Sequence, residues 1–289
     1  MTVLEVLNWA AECFEKHRIQ NPRLNAELLL AYSLSLGREG LYIHLHQPIG
    51  EREKEAAEGL VKRRLSGEPL QYILGHQEFW SIDLKVDRRV LIPRSDTELL
   101  VEQALSVLSE MDRERPPAVL EIGTGSGAIA ITLATEDRSV FLVATDISGK
   151  IIRLAETNAR EAGVSERIVF VTGDLFGPFR PFEGGGPFDV ILSNPPYIVR
   201  SEIESLDREV RDFEPIAALD GGEDGFDFHR KIISESPRYL RGRGWLLLEV
   251  GQGQAEGVSS ILEANGNFGL IQRIRDLSGI ERVVRARKK

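Results

Sequence analysis

A chain of 289 residues, 42% of them hydrophobic, can bury one large core and carry a second, smaller domain beside it. Its net charge of −9 argues against duplex DNA or bulk RNA as the main partner, because gripping a phosphate backbone draws on clustered Lys and Arg. A single cysteine, Cys13, excludes an internal disulfide framework and suits a reducing cytoplasm, and no apolar run is long enough to span a bilayer.

Residues 1–75 read as helical throughout and as a domain of their own. Val3, Leu4, Val6, Leu7, Ala10 and Ala11 recur at helical spacing, Asn21-Pro22 interrupts them, and Ala26 to Leu36 is a second apolar segment. Glu51 to Leu65 is a charged, alanine-containing helix ended by Ser66-Gly67-Glu68-Pro69. Glu5, Glu12 and Glu15 lie within the first helical pattern and argue against a signal peptide. Trp80, Ile82, Leu84 and Val86 then alternate with polar residues, and Asp87-Arg88-Arg89 turns into Val90-Leu91-Ile92, so residues 76–92 are expected to form a β-hairpin linking two domains. The second domain, residues 93–289, opens with a helix from Ser95-Asp96-Thr97-Glu98 to about Leu108, and Arg113 to Pro117 is a polar linker.

From there strands alternate with helices, the pattern of a doubly wound α/β sheet. Ala118 to Ile122 is a strand that runs into Gly123-Thr124-Gly125-Ser126-Gly127 and then the apolar, helix-like segment Ala128 to Leu133. That order lets backbone N–H groups and a helix N-terminus approach a ligand closely, which implies a nucleotide-like cofactor. The next strand, Val140 to Ala144, delivers Asp146, placed to hydrogen-bond a ribose diol. A third, Ile168 to Val171, leads to Asp174, which could take an adenine amino group, and to Leu175, which could pack on the ring. The glycine turn also satisfies the dinucleotide fingerprint in its Ala-ended form, Gly123-x-Gly125-x-x-Ala128, so a nicotinamide enzyme competes with a methyl-donor enzyme.

The fourth strand, Phe188 to Ser193, ends in Asn194-Pro195-Pro196-Tyr197, at the carboxyl edge where open sheets place their ligands. Two prolines stiffen this backbone and leave carbonyls with fewer internal partners. The Asn194 side-chain oxygen and the Pro195 carbonyl could then grip both hydrogens of a planar –NH2 group, with Tyr197 over one face. Methylating such a nitrogen requires orientation and loss of water more than a strong base. Asn-Pro and Pro-Pro also mark ordinary turns. A methyl donor needs an acceptor clamp beside its sulfonium and a nicotinamide enzyme does not, so the pairing favours S-adenosylmethionine.

The acidic segment Ser201 to Asp227, interrupted by Pro215, Gly221-Gly222 and Gly225, is either a lid over that edge or a solvated connection. Gly244 to Val250 is the fifth strand, Gln254 to Asn265 a helix, and Leu270 to Ile274 and Arg282 to Ala286 the last strands. The five histidines are scattered and their only close pair, His44-x-His46, lacks partners at ligand spacing, so surface or loop positions and no bound metal are expected. No nucleophile elbow is present.

Several segments together resemble one family. They are Gly67 to Gly75, Leu91 to Glu98, Glu121 to Gly127, Asn194 to Tyr197, Glu214-Pro215 with Leu219 to Gly225, and Leu248-Glu249-Val250-Gly251. In these, over nearly its whole length, the chain is similar to the protein N(5)-glutamine methyltransferases that modify peptide chain release factors, the HemK/PrmC group. Asn-Pro-Pro-Tyr alone is shared with adenine-N6 DNA and RNA methyltransferases, which stand as the alternative.

The resemblance implies a class I S-adenosylmethionine-dependent methyltransferase domain, Rossmann-like, whose seven-stranded sheet ends in an antiparallel strand. A small helical domain that docks the release factor precedes it. The implied substrate is the glutamine of the Gly-Gly-Gln loop, and the donor would leave as S-adenosylhomocysteine. Carried over residue by residue, Glu121, Gly123, Thr124, Gly125, Ser126, Gly127, Asp146, Ile147, Asp174, Leu175 and Asn194 would hold the cofactor. Asn194, Pro195, Pro196 and Tyr197 would hold the glutamine amide, with Asn194, Pro195 and Tyr197 as the catalytic set. No metal, nucleic acid or membrane partner is implied, and a monomer is expected because no coiled-coil seam is visible. The chain departs from the family pattern at Ser95 and Asp96, where Pro and Glu are usual, and at Leu175, where some relatives place an aromatic ring. Neither departure is expected to touch the reacting centre.

Overall fold

The computed structural model describes residues 1–111, 114–181 and 186–289, so Arg113 of the polar linker lies outside the described residues. The chain forms two units: Met1–His76 with Asp207–Phe213, and Gln77–Leu206 with Glu214–Lys289. In chain order the helices of the first are α1 (Val3–Lys16), α2 (Pro22–Ser33), α3 (Arg38–Ile43), α4 (Glu51–Leu65) and α5 (Leu70–Leu74). There follow β1 (His76–Phe79), β2 (Ile82–Lys85), α6 (Glu98–Ser109), β3 (Ala118–Ile122), α7 (Ala128–Glu136), β4 (Phe141–Asp146), α8 (Gly149–Glu161), β5 (Ile168–Thr172) and β6 (Phe188–Ser193). The chain ends with α9 (Arg208–Phe213), α10 (Asp227–Glu235), β7 (Leu240–Glu249), α11 (Ala255–Asn265), β8 (Phe268–Arg275) and β9 (Glu281–Lys288).

Local chemistry starts the helical unit. The Thr2 hydroxyl accepts from the Glu5 N–H while the Glu5 carboxylate takes the Thr2 N–H, a capping box that opens α1. Val3, Val6, Leu7, Ala10 and Phe14 then form one buried stripe. Glu51 and Glu53 in the first turn of α4, and Lys62, Arg63 and Arg64 in its last, complement the helix dipole. Arg64 is itself buried: Nε donates to Asn25 Oδ1 at 2.8 Å, Nη1 to the Glu68 carbonyl at 3.0 Å, and Nη2 pairs with Glu209 of α9 at 2.5 Å. That ion pair is one reason Asp207–Phe213, far along the chain, belongs with the first unit. By sequence this stretch falls inside the acidic segment of the second domain.

The hairpin is displaced from its expected position. Its turn is Trp80-Ser81, both at positive φ (53° and 59°), as a two-residue hairpin turn requires, and β1 pairs with β2. Val90-Leu91-Ile92 is not a strand. The Asp87 carboxylate accepts the Arg89 N–H at 3.0 Å and the Val90 N–H returns to the Asp87 carbonyl at 3.1 Å, a side-chain-locked turn that ends the pairing. Val90 and Ile92 are buried all the same, which is why their apolar alternation reads like a strand.

The large sheet has strand order β5-β4-β3-β6-β7-β9-β8, parallel except for β9, which runs antiparallel to both β7 and β8. Alternate residues of its strands face opposite layers. Val119, Leu142, Ala144, Val190, Leu192 and Leu247 pack with α6 and α7, whereas Leu120, Ile122, Val143, Ile191, Leu246 and Leu248 pack with α10 and α11. Leu133 of α7 is fully buried in the first of these layers. Leu133→Ala should therefore lower the unfolding free energy by about 2–5 kcal/mol, read as a lower urea midpoint at unchanged slope. Among the described residues no helix is long and apolar enough to cross a membrane.

Candidate functional site

Strand register assembles the site. Ile122 at the end of β3 lies opposite Thr145 of β4 and opposite Ser193 of β6, and Asp146 lies opposite Thr172 of β5. Both Gly123 N–H and Thr124 N–H donate to the Thr145 carbonyl, at 2.9 and 2.8 Å, and the Ser193 hydroxyl donates to the Ile122 carbonyl at 2.7 Å. The glycine turn, Asp146, Asp174 and Asn194 thus leave four neighbouring strands at one edge, the edge where ligands of such sheets sit.

Gly123, Gly125 and Gly127 all adopt left-handed backbone, at φ of 76°, 56° and 87°. At Gly127 a Cβ would also lie 2.8 Å from Ile131 Cδ1, the yielding tip of a side chain, so the left-handed backbone is what calls for glycine there. Asp146 Oδ2 accepts the Gly125 N–H at 3.0 Å, which ties the turn to the next strand, and burial raises its pKa. A carboxylate has further lone pairs, so Asp146 keeps acceptor capacity for a diol.

Glu121 is 1% exposed. Its Oε2 accepts the Thr124 hydroxyl at 2.7 Å and the Ala130 N–H at 3.1 Å. Oε1 has no partner among the described residues, and burial pushes the carboxyl up to about 8. A buried, unpartnered acceptor beside a glycine turn fits an ammonium group, whose arrival would favour the ionised form. Thr124 and Ser126 are buried, and the Ser126 carbonyl is held by Asn158 Nδ2 at 2.8 Å. Ile147 is 65% exposed directly after Asp146, an apolar platform open to a flat ring. Asp174 is exposed, and Leu175, at φ 47°, already packs partly against the core that holds Phe176. The residues at this edge fit a cofactor with an amino-acid end, a ribose and a planar base.

At the neighbouring strand end Asn194 Nδ2 donates to Thr97 Oγ1 at 3.1 Å, which turns Oδ1 away from Thr97. Among the described residues the Pro195 carbonyl accepts no backbone hydrogen bond. Tyr197 is half-buried and its hydroxyl donates to Glu249 Oε1 at 3.5 Å; burial first, and the Glu249 charge second, push the phenol up, so it stays protonated.

The loop is buttressed by the segment that follows it. The Ile198 N–H donates to the Leu219 carbonyl at 2.9 Å, the Gly221 N–H to the Ile198 carbonyl at 2.8 Å, and Gln254 Nε2 to the Tyr197 carbonyl at 2.8 Å. A Cβ on Gly221 would lie 2.7 Å from Tyr197 Cα, so glycine is required where the two backbones touch. Ile203, Leu219 and Glu214 of the acidic segment are buried, and Glu214 accepts the Ile92 N–H at 3.3 Å and pairs with Arg94. Leu219 to Gly225 is accordingly a support packed on the Asn194–Tyr197 loop, not a solvated connection.

Thr97, Glu249, Gln254 and His229 show no individual role in the sequence. Glu249, at the end of β7, is 2% exposed, and its Oε2 has no partner among the described residues. Burial pushes it up to about 7; the hydrogen bond from Thr97 opposes this, the charge of Asp96 adds to it, and Arg282 opposes it. Asp96 pairs with Arg282 at 3.0 Å. His229 is fully buried in α10, with Nε2 against the Glu249 carbonyl at 2.9 Å and its pKa lowered by burial, so it does not follow the surface or loop placement expected of the histidines. One signal could have found Glu249: Leu248-Glu249-Val250-Gly251 repeats the Leu-Glu-apolar-Gly pattern of Leu120-Glu121-Ile122-Gly123 at a second strand end. Among the described residues no group of His, Cys, Asp or Glu could hold a metal ion.

Two family profiles match the chain, a PrmC N-terminal domain over residues 5–75 and a methyltransferase small domain over residues 98–209. The release factor glutamine methyltransferase of Geobacter sulfurreducens is 44% identical over 288 residues, spanning 99% of this chain and 96% of that one. That of Koribacter versatilis is 39% identical over 288 residues, spanning 100% of this chain and 99% of that one. Among solved structures, a human methyltransferase 10 domain containing protein superposes with a TM-score of 0.54 at 16% identity, covering 72% of this chain and 88% of that one, a likeness of fold alone.

Proposed function

The chain belongs to the release factor glutamine methyltransferases, and from that premise we propose that it methylates the side-chain amide nitrogen of the glutamine in the Gly-Gly-Gln loop of peptide chain release factors. S-adenosylmethionine, when bound, supplies an electrophilic methyl group on a sulfonium sulfur and is left as S-adenosylhomocysteine. The pairing of Ile122 with Ser193 carries the reading, because it puts the glycine turn and Asn194 at adjacent strand ends.

Gly123 to Gly127 with Glu121, Asp146, Ile147, Asp174 and Leu175 hold the cofactor: Glu121 Oε1 takes the ammonium group, Asp146 the ribose hydroxyls, and Ile147 a face of the base. Asn194 Oδ1 and the Pro195 carbonyl accept one N–H each from the glutamine –NH2, Pro196 keeps that stretch stiff, and Tyr197 covers one face of the amide. An amide lone pair is delocalised, so the clamp works first by holding the nitrogen in line and stripping its water. As nitrogen forms its new bond to carbon, positive charge grows on its hydrogens, and two fixed oxygen acceptors stabilise that charge more than they stabilise the ground state. The proton leaves late, to water. The helical unit docks the release factor, and the enzyme works as a monomer in the cytoplasm.

The adenine-N6 nucleic-acid alternative is not favoured: the relatives named above are full-length matches, and a net charge of −9 works against binding a phosphate backbone. Labelled S-adenosylmethionine offered with a release factor, with its loop Gln→Ala variant and with oligonucleotides tests the assignment. Label should enter the release factor and spare the variant. Label on the oligonucleotide, or on both forms of the factor equally, would refute it.

A further inference from the structure

We infer that Asn158 is a positioning residue for the donor site: it locks the glycine turn in its cofactor-binding form by tying it to the hairpin strand β2. The inference rests on the assignment of that turn to S-adenosylmethionine, and its test separates the two.

Asn158 lies on the buried face of α8, at 2% exposure. Asparagine is a poor helix former, and a carboxamide taken out of water is costly unless its groups are paired. Here they are paired. Oδ1 accepts the Lys85 N–H at 2.9 Å, and Nδ2 donates to the Lys85 carbonyl at 3.0 Å and to the Ser126 carbonyl at 2.8 Å. The Lys85 N–H settles which end of the amide is which: turned over, the –NH2 would meet an N–H and Oδ1 would meet two carbonyl oxygens.

The Ser126 carbonyl needs this partner. Gly127, the N-cap of α7, has no side chain, so the Ala130 N–H is capped instead by Glu121 Oε2 at 3.1 Å. One residue before the cap, the Ser126 carbonyl accepts no backbone hydrogen bond among the described residues. Asn158 thus anchors the turn from α8, as Thr145 and Asp146 anchor it from β4. One helical turn earlier α8 also closes on the turn, where a Cβ on Gly127 would lie 3.3 Å from Ala155 Cβ. Further along the helix Glu161 pairs with the Lys85 ammonium, so hairpin, helix and turn are fastened at successive points. A turn with three left-handed glycines has much freedom to lose. Without the anchor it holds the ligand-ready shape only part of the time, and apparent affinity falls by that fraction.

The test uses the full-length enzyme. Asn158→Ala should raise the calorimetric dissociation constant for S-adenosylmethionine about ten- to a hundredfold, the effect of a competent turn populated at about 1–10%. The kcat at saturating donor and the KM for the release factor should stay within about twofold of the parent. Asn158→Asp keeps the shape and the acceptor for the Lys85 N–H but sets an oxygen against two carbonyls, so it should bind the donor no better than Asn158→Ala. Leu262→Ala, fully buried in α11, is the control for lost stability alone: it should melt at a lower temperature and bind the donor within about twofold of the parent. In the parent, NMR-resolved hydrogen exchange at the Lys85 amide should slow on donor binding more than at Ile82 of the same strand, a reading that stands even where a variant fails to fold. Unchanged donor affinity in Asn158→Ala, better binding by Asn158→Asp than by Asn158→Ala, an equal loss in Leu262→Ala, or no preferential slowing at Lys85 would each overturn the lock. A parent enzyme that binds no donor would fell the cofactor assignment and the lock with it; a parent that binds beside Asn158 variants that bind equally well sinks the lock alone.

Discussion

Asn194→Ala should slow methyl transfer to the release factor by about a hundred- to a thousandfold, the usual cost of deleting an oriented group aimed at developing charge, while leaving S-adenosylmethionine affinity nearly unchanged. The reason is placement. Asn194 sits one residue past Ser193, on a strand end tied to Ile122 through the Ser193 hydroxyl at 2.7 Å, and on the proposed reading its side-chain oxygen is one of two acceptors for the amide. The contacts within the glycine turn run through Thr145, Asp146 and Glu121 and do not pass through the Asn194 side chain. Single-turnover transfer of labelled methyl, set beside calorimetric cofactor binding, reads both quantities. Turnover within about tenfold of the parent, or parallel loss of cofactor binding, would remove Asn194 from the proposed role.

Asp146→Ala should have the opposite signature. Its carboxylate anchors the Gly125 N–H at 3.0 Å and, on the proposed reading, takes the ribose hydroxyls, so its loss frees the turn and deletes charge-assisted hydrogen bonds together. At about 1.5–3 kcal/mol for such a bond, the dissociation constant for S-adenosylmethionine should rise about a hundredfold. Turnover at saturating donor should stay near that of the parent, because the amide clamp is untouched, and Asp146→Asn, which keeps one acceptor oxygen, should fall between the two. Calorimetry across the three proteins measures the series; equal affinity in all of them would move the ribose site elsewhere.

Much of this was legible in the chain itself. The expected strand Phe188 to Ser193 matches β6, the expected helix Glu51 to Leu65 matches α4, and the glycine turn lies between β3 and α7. These rest on short-range physics: side-chain periodicity, the fixed φ of proline and the left-handed freedom of glycine. The hairpin failed for a short-range reason too. Left-handed Trp80-Ser81 carries no glycine or asparagine to announce a turn, whereas Asp87-Arg88-Arg89 looks like one and is one, in the wrong role.

The glycine-rich stretch after Tyr197 was ambiguous for a different reason. Gly221 reads as flexibility in a sequence, and as a close backbone approach only once Tyr197 is placed 2.7 Å from where its Cβ would be. Glu249 is visible in the sequence only as a motif letter, because its Tyr197 partner comes from another segment of the fold.

Apart from the hairpin, the main strands and helices of the sheet, their alternation and the strand-end motifs, including the family they identify, are legible in the chain, since each is written in residues that touch along a few turns or one strand. Tertiary structure alone decided which motifs meet: Thr97 with Asn194 across 97 positions, Arg94 with Glu214 across 120, Arg64 with Glu209 across 145. Such partners are selected by strand register and chain closure, and a hydrogen bond between remote residues leaves no periodicity in either of the segments it joins.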